Sequence, residues 1–175
     1  MEKLDQLREQ FPDAAKDIKI NLGNVLQPGT LNAAQTWGVA ISAAYAARNE
    51  SLTRALLADA ATAGIEAAVI EDAKAAAILM GMNNIYYRFR HIIGKDEYSQ
   101  MPARLRMMRL KQPSTNQTDF ELFCRGVSAI NNCQSCVLSH EHVVLEGGLT
   151  IAHVHDAIRI ASIIHASAVS LESNF

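Results

Sequence analysis

Proline and glycine are scarce in this chain, four and nine among 175 residues, and no alternating run of β-branched residues occurs, which excludes a sheet-based fold. Long apolar runs are also missing. The longest candidate, Trp37 to Ala47, falls short of the roughly 18–20 uncharged residues that a membrane span needs. Met1 to Lys19 interleaves Glu2, Lys3, Asp5, Arg8, Glu9 and Asp13 with apolar residues, so it has no signal-peptide core. A cytoplasmic protein with no membrane contact is expected. Charge of one sign is not in excess: Lys+Arg of 16 against Asp+Glu of 18 gives no reason to expect a nucleic-acid partner. A basic stretch from Arg88 to Lys111 is interrupted by Asp96 and Glu97 and reads as a solvated face before a docking patch. Cysteine is nearly absent, with three in all. In a reducing compartment so few do not build a disulfide framework, and a close pair there serves catalysis or metal binding.

What is present is Ala, Leu, Ile and Met, the composition of an all-α protein whose length suits one domain, 1–175. The pattern predicts a short helix from Lys3 to Gln10 and another after Pro12 to about Leu22. After a break at Pro28-Gly29-Thr30, a helix runs from Leu31 to Arg48; Asn49-Glu50-Ser51 separates it from a helix to Ala63, and Gly64 separates that from a long one running to Arg90. A loop around Gly94 leads to a shorter helix near Met101 to Arg109, and Lys111 to Gln117 is polar loop. Thr118-Asp119-Phe120-Glu121 fits a capping box that opens a helix ending near Asn131. The next helix, Cys133 to Glu146, stops at Gly147-Gly148, and Thr150 opens a last one to about Leu171. Met82-Asn83-Asn84 to Arg88 echoes Ile130-Asn131-Asn132 to Cys136 at what look like similar helix junctions. The echo suggests two related helical halves, of which only the second kept thiols.

The chemistry concentrates in Cys133-Gln134-Ser135-Cys136, with His140 four residues beyond. On a helix at 100° per residue these two thiols and the imidazole fall within about 60° of one another. Cysteines three apart there have Cα atoms roughly 5–6 Å apart, within the range of a disulfide. Unpaired N–H groups and the helix dipole at the first turn favour thiolate over thiol. Three readings compete: a redox dithiol, two small buried residues, or a metal half-site in which Cys133, Cys136 and His140 are joined by Cys124. A structural zinc site would pair this CxxC with a second one or with an HxxxH, and the sequence has neither, so the dithiol is preferred and no metal is expected. His140, one turn from Cys136, is placed to take its proton. His142 points away toward solvent; His153, His155 and His165 have no comparable partner. Cys124, Trp37, Tyr45 and the Met80-Gly81-Met82 stretch read as packing. The position nearest the helix N-terminus favours Cys133 as the attacking sulfur, whereas His140 favours Cys136.

Phe120-Glu121-Leu122, Ser128-Ala129-Ile130-Asn131, Cys133-x-x-Cys136 and His140-Glu141-His142 together resemble the alkyl hydroperoxidase D family, of the carboxymuconolactone decarboxylase-like superfamily. Lys16-Asp17-Ile18-Lys19, Met80 to Asn84 and Tyr87-Arg88 extend the likeness over most of the chain. The resemblance implies an all-helical subunit that forms homo-oligomers, commonly trimers, and acts as an antioxidant thiol-dependent peroxidase on organic hydroperoxides. It implies that Cys136 attacks peroxide and passes through a sulfenic acid. Cys133 is then the proton donor and resolving thiol that closes the redox disulfide, and Glu121 with His140 relays protons. It also implies that the dithiol reduces the peroxiredoxin alkyl hydroperoxide reductase C. A lipoylated dihydrolipoyl acyltransferase recharges it, dihydrolipoamide being the donor and no cofactor being bound. The family carries a histidine between the two cysteines where this chain has Ser135, a difference that bears on proton delivery and thiol acidity. The alternatives are a non-enzymatic helical interaction protein whose CxxC binds metal or switches assembly, and a lactone decarboxylase, which has no need of a dithiol.

Overall fold

A computed structural model describes residues 1–173, and every regular element among them is helical. The helices are α1 (Glu2–Arg8), α2 (Lys16–Val25), α3 (Ala33–Ala47), α4 (Glu50–Thr62), α5 (Ala67–Ile93), α6 (Asp96–Gln100), α7 (Gln117–Ile130), α8 (Gln134–Glu146) and α9 (Ile151–Glu172), with 3-10 turns at Asp13–Ala15 and Met108–Lys111. The all-α expectation holds.

The Ala-rich α3 is the central element, packed against α4, α5, α7 and α9. Val39, Ala40, Ile41, Ala43 and Ala44 are wholly buried, and small side chains let four helices approach one axis closely. Gly38 makes the tightest of these approaches: a Cβ there would lie 2.1 Å from the Phe123 ring of α7. The cap of α3 is Asn32, which accepts from the Gln35 backbone N–H at 2.9 Å, while the Gln35 side chain returns to the Asn32 N–H, a reciprocal box. Thr30, at the expected break, donates its hydroxyl to Asp156 of α9.

Three local expectations are corrected. No α-helix forms over Met101 to Arg109, because Pro102 holds Met101 extended at ψ 133° and Arg104 adopts φ +51°. The segment is anchored from outside itself by Asp72 of α5, a carboxylate with no exposure. Asp72 accepts from Arg109 at 2.6 Å, from the backbone N–H groups of Ser114 and Thr115 at 2.8 Å each, and from the Thr115 hydroxyl at 2.7 Å. Thr118 does not cap α7. Asn116 does, its side chain accepting from the Asp119 N–H at 2.9 Å, and Glu121 is thereby left free of capping. The echo of Met82 to Arg88 does not sit at a junction either, since that stretch runs through the interior of α5. Only Asn131 and Asn132 end a helix.

The basic stretch is only partly a solvated face. Arg109 is paired with Asp72, and Arg88 donates to the Asn131 carbonyl at 2.6 Å. Among the described residues no helix is long and apolar enough to cross a membrane.

Candidate active site

The turn from α7 to α8 sets the site. Asn132 takes a left-handed conformation at φ +54°, which asparagine tolerates better than most residues. Its N–H bonds the Ala129 carbonyl at 3.1 Å, and the next N–H, that of Cys133, bonds the Ser128 carbonyl at 3.0 Å. This pair of bonds closes the end of α7. Cys133 then acts as the N-cap of α8, its carbonyl accepting from the Val137 N–H at 2.9 Å. One residue therefore ends one helix and begins the next, and Cys136 falls in the first turn of α8, where unpaired N–H groups gather.

Cys133 and Cys136 are joined as a disulfide with Cα atoms 5.3 Å apart, inside the range their spacing suggests. Cys133 is entirely buried and Cys136 is 7% exposed. Cys136 faces a cavity of about 250 Å³ also lined by Met80, Tyr87, Met107, Leu110 and His140. Ser135, between the two cysteines, has its Oγ 3.7 Å from the Cys133 sulfur.

His140 is buried, and its Nδ1 meets Glu121 Oε2 across α7 and α8 at 2.5 Å. The other carboxylate oxygen, Oε1, accepts from Gln117 Nε2 at 2.8 Å, so both ends of Glu121 are held. One turn further along α7, Arg125 donates to the Val137 carbonyl at 2.8 Å and reaches Glu141 at 3.4 Å. Burial pulls the Arg125 pKa down from its usual value, with Glu141 opposing. Glu121 and Arg125 thus grip successive parts of α8 and fix the register in which His140 meets the carboxylate.

The structure brings Glu121, His140 and Cys136 into one neighbourhood. Among the described residues no hydrogen bond joins His140 to either sulfur; Nε2 lies instead 3.3 Å from the Met80 sulfur, a weak acceptor. Cys124 is set apart. It is fully buried, and burial pushes its thiol pKa well up, with Glu121 and Asp72 adding to the effect. The four donors weighed for a metal are not gathered: among the described residues no group of three or more His, Cys, Asp or Glu is placed to hold an ion. His142 is exposed and pairs with Glu146 at 3.3 Å, and His153 caps α9 through Thr150.

Sequence reasoning missed Gln117, Arg125 and Asn84. The (i, i+4) spacing of Gln117, Glu121 and Arg125 on one helix is a signal that was available for the first two. Asn84 donates to Ser128 Oγ at 2.9 Å and accepts from Asn131 Nδ2 at 2.9 Å, bracing the α7–α8 turn from α5. Met80 is more than packing, since it lines the cavity against His140.

The carboxymuconolactone decarboxylase family profile matches residues 96–173. Over 172 residues the chain is 59% identical to a protein of Anaeromyxobacter sp. (strain K) named alkyl hydroperoxide reductase AhpD, covering 98% of this chain and 92% of that one. Proteins of the same name from Rhodospirillum centenum and Brucella suis are 45% and 42% identical over 170 residues, each alignment covering 97% of this chain and respectively 91% and 97% of the relative.

Proposed function

We propose that this chain, which belongs to the alkyl hydroperoxide reductase AhpD family, is a peroxidase that reduces organic hydroperoxides through a Cys133/Cys136 dithiol cycle. The observation that carries the proposal is the cavity. It offers Cys136, and not the fully buried Cys133, to a substrate, beside a histidine already paired with a carboxylate.

The reduced Cys136 loses its proton to His140 Nε2 once Met80 yields its weak contact, while Glu121 accepts from Nδ1 and stabilises the imidazolium that results. The first-turn N–H groups of α8 stabilise the thiolate. Thiolate sulfur attacks the terminal oxygen of ROOH; an S–O bond forms, the O–O bond breaks, and its electron pair leaves on the alkoxide. The alkoxide takes a proton from His140 and departs as ROH. Cys133 thiol then attacks the Cys136 sulfenic acid, the S–S bond forms, and the hydroxyl leaves with the Cys133 proton as water. Two thiols and one hydroperoxide become one disulfide, one alcohol and one water.

Dihydrolipoamide on a lipoylated dihydrolipoyl acyltransferase resets the pair by thiol–disulfide exchange. The same dithiol reduces the peroxiredoxin alkyl hydroperoxide reductase C. We assign the cycle to the cytoplasm and to a homotrimer. In favour of self-association, Ile78, Ile85, Phe89 and Ile92 are exposed on α5 and lie within about 60° of one another around that helix.

The test follows hydroperoxide consumption with dihydrolipoamide, with and without the peroxiredoxin, in wild type, Cys133→Ser and Cys136→Ser. Cys136→Ser is expected to fall to background and Cys133→Ser to stop after one turnover at the sulfenic acid. Full turnover in Cys136→Ser with Cys133→Ser inactive would reverse the two roles.

A further inference from the structure

Two adjacent asparagines project from the middle of α5, and their surroundings differ. Asn84 is bonded to Ser128 and Asn131. Asn83 is 3% exposed, yet its Oδ1 is buried with no hydrogen-bond partner. A buried acceptor left unpaired is costly and uncommon in a native protein. Asn83 lines the same cavity as Cys136 and His140. It shares one face of α5 with Met80 and Tyr87, at three and four residues' separation, which is helical neighbour spacing.

The remaining cavity wall from α5 and the 101–111 segment is thioether, phenol and hydrocarbon, from Met80, Met107, Tyr87 and Leu110. These suit the organic part of a ligand; the one strong donor among them, the Tyr87 hydroxyl, is directed at the Met107 sulfur at 3.9 Å, and none of them bonds Asn83 Oδ1. A carboxamide accepts at one end and donates at the other. A hydroperoxide is its complement, with a terminal O–H donor and a neighbouring oxygen acceptor. A thiol, by contrast, is a weak donor and leaves the amide poorly satisfied.

We propose that Asn83 is a substrate-binding residue: its Oδ1 accepts the terminal O–H of an organic hydroperoxide in the α5–α8 cavity and holds that oxygen toward the Cys136 sulfur. The inference rests on the peroxidase reading above. Asn83 is neither oxidised nor reduced; the S–O bond still forms at Cys136, and the electron pair of the O–O bond still leaves on the alkoxide. The carboxamide selects the orientation in which the oxygen bearing hydrogen, not the one bearing carbon, faces the thiolate.

The experiment compares wild type with Asn83→Leu, both reduced, in two reactions of Cys136: single-turnover oxidation by cumene hydroperoxide and alkylation by N-ethylmaleimide, which has no O–O–H group. The ratio of the first rate to the second is expected to fall about fivefold in the variant, the usual worth of one hydrogen bond. The Tm is expected to hold or rise, because an unpaired buried oxygen gives way to an apolar group of similar shape. Asn83→Ala, measured in the same way, guards against a leucine that does not pack. A ratio within about twofold of wild type in both variants overturns the inference, and a lowered Tm beside it would make Asn83 a packing residue. A reduced wild type inert to cumene hydroperoxide would instead sink the peroxidase reading, and this inference with it; an active wild type with an unaltered ratio in the variants sinks Asn83 alone.

Discussion

Asn83-Asn84 and Asn131-Asn132 are the same dipeptide in two conformations. In α5 the pair continues a helix of 27 residues; between α7 and α8 it ends one, with Asn132 at φ +54°. Local propensity does not separate them, because asparagine is a mediocre helix former in both places. Their partners do. Asn84 spends its side chain on Ser128 and Asn131, so the unbroken pair clamps the broken one. The break makes Cys133 a helix N-cap and puts Cys136 in a first turn, whereas the corresponding Ile85 and Arg88 of α5 sit within an unbroken helix. Chemistry arises at the copy of the motif where the backbone stops pairing with itself.

Four changes would break or sharpen that contrast. The largest effect is the loss of turnover in Cys136→Ser already described. Next, Glu121→Gln removes the carboxylate that pairs with the α8 histidine. Hydroperoxide turnover is expected to fall roughly 10²-fold, the lower end of general acid–base contributions, as steady-state kinetics would register; a rate equal to wild type would remove Glu121 from the relay. Asn84→Leu cuts the clamp and strands Ser128 and the Asn131 amide. The expected loss is about 2–4 kcal/mol, or roughly 5–15 °C in Tm, by thermal unfolding. An unchanged Tm would mean that the α7–α8 turn holds without α5. The smallest effect belongs to the turn itself: Asn132→Ala is expected to lose about 1 kcal/mol in urea unfolding and Asn132→Gly almost nothing, since glycine accepts positive φ without penalty. Equal losses in both would show that the asparagine side chain, and not the backbone conformation, matters there.

Helix positions were largely legible because Pro28, Gly64, Gly94 and Gly147-Gly148 punctuate an otherwise helix-forming chain. Met101 to Arg109 misleads for a physical reason. Its composition suits a helix, but Pro102 disfavours one and Asp72, 37 residues before Arg109, supplies the anchoring acceptor. Spacing on a single helix was enough to group Cys133, Cys136 and His140. It gave no sign that Glu121 meets His140, since that contact depends on how α7 crosses α8; only the family resemblance pointed there. A capping motif at Thr118 offered Glu121 a competing local role, and Asn116 removes it by capping two residues earlier. Asn83 and Asn84 read as a faint repeat, because what distinguishes them is which neighbour each side chain meets.

Asp72 also constrains the order of assembly. A carboxylate with no exposure cannot shed its water until Arg109, Ser114 and Thr115 arrive with their donors, and those lie 37 to 43 residues downstream. The burial of Asp72 in α5 and the ordering of the irregular segment carrying Leu110 are therefore coupled, at the entropic cost of closing a long loop. The cavity wall that Leu110 helps to form thus depends on contacts that α5 cannot make alone.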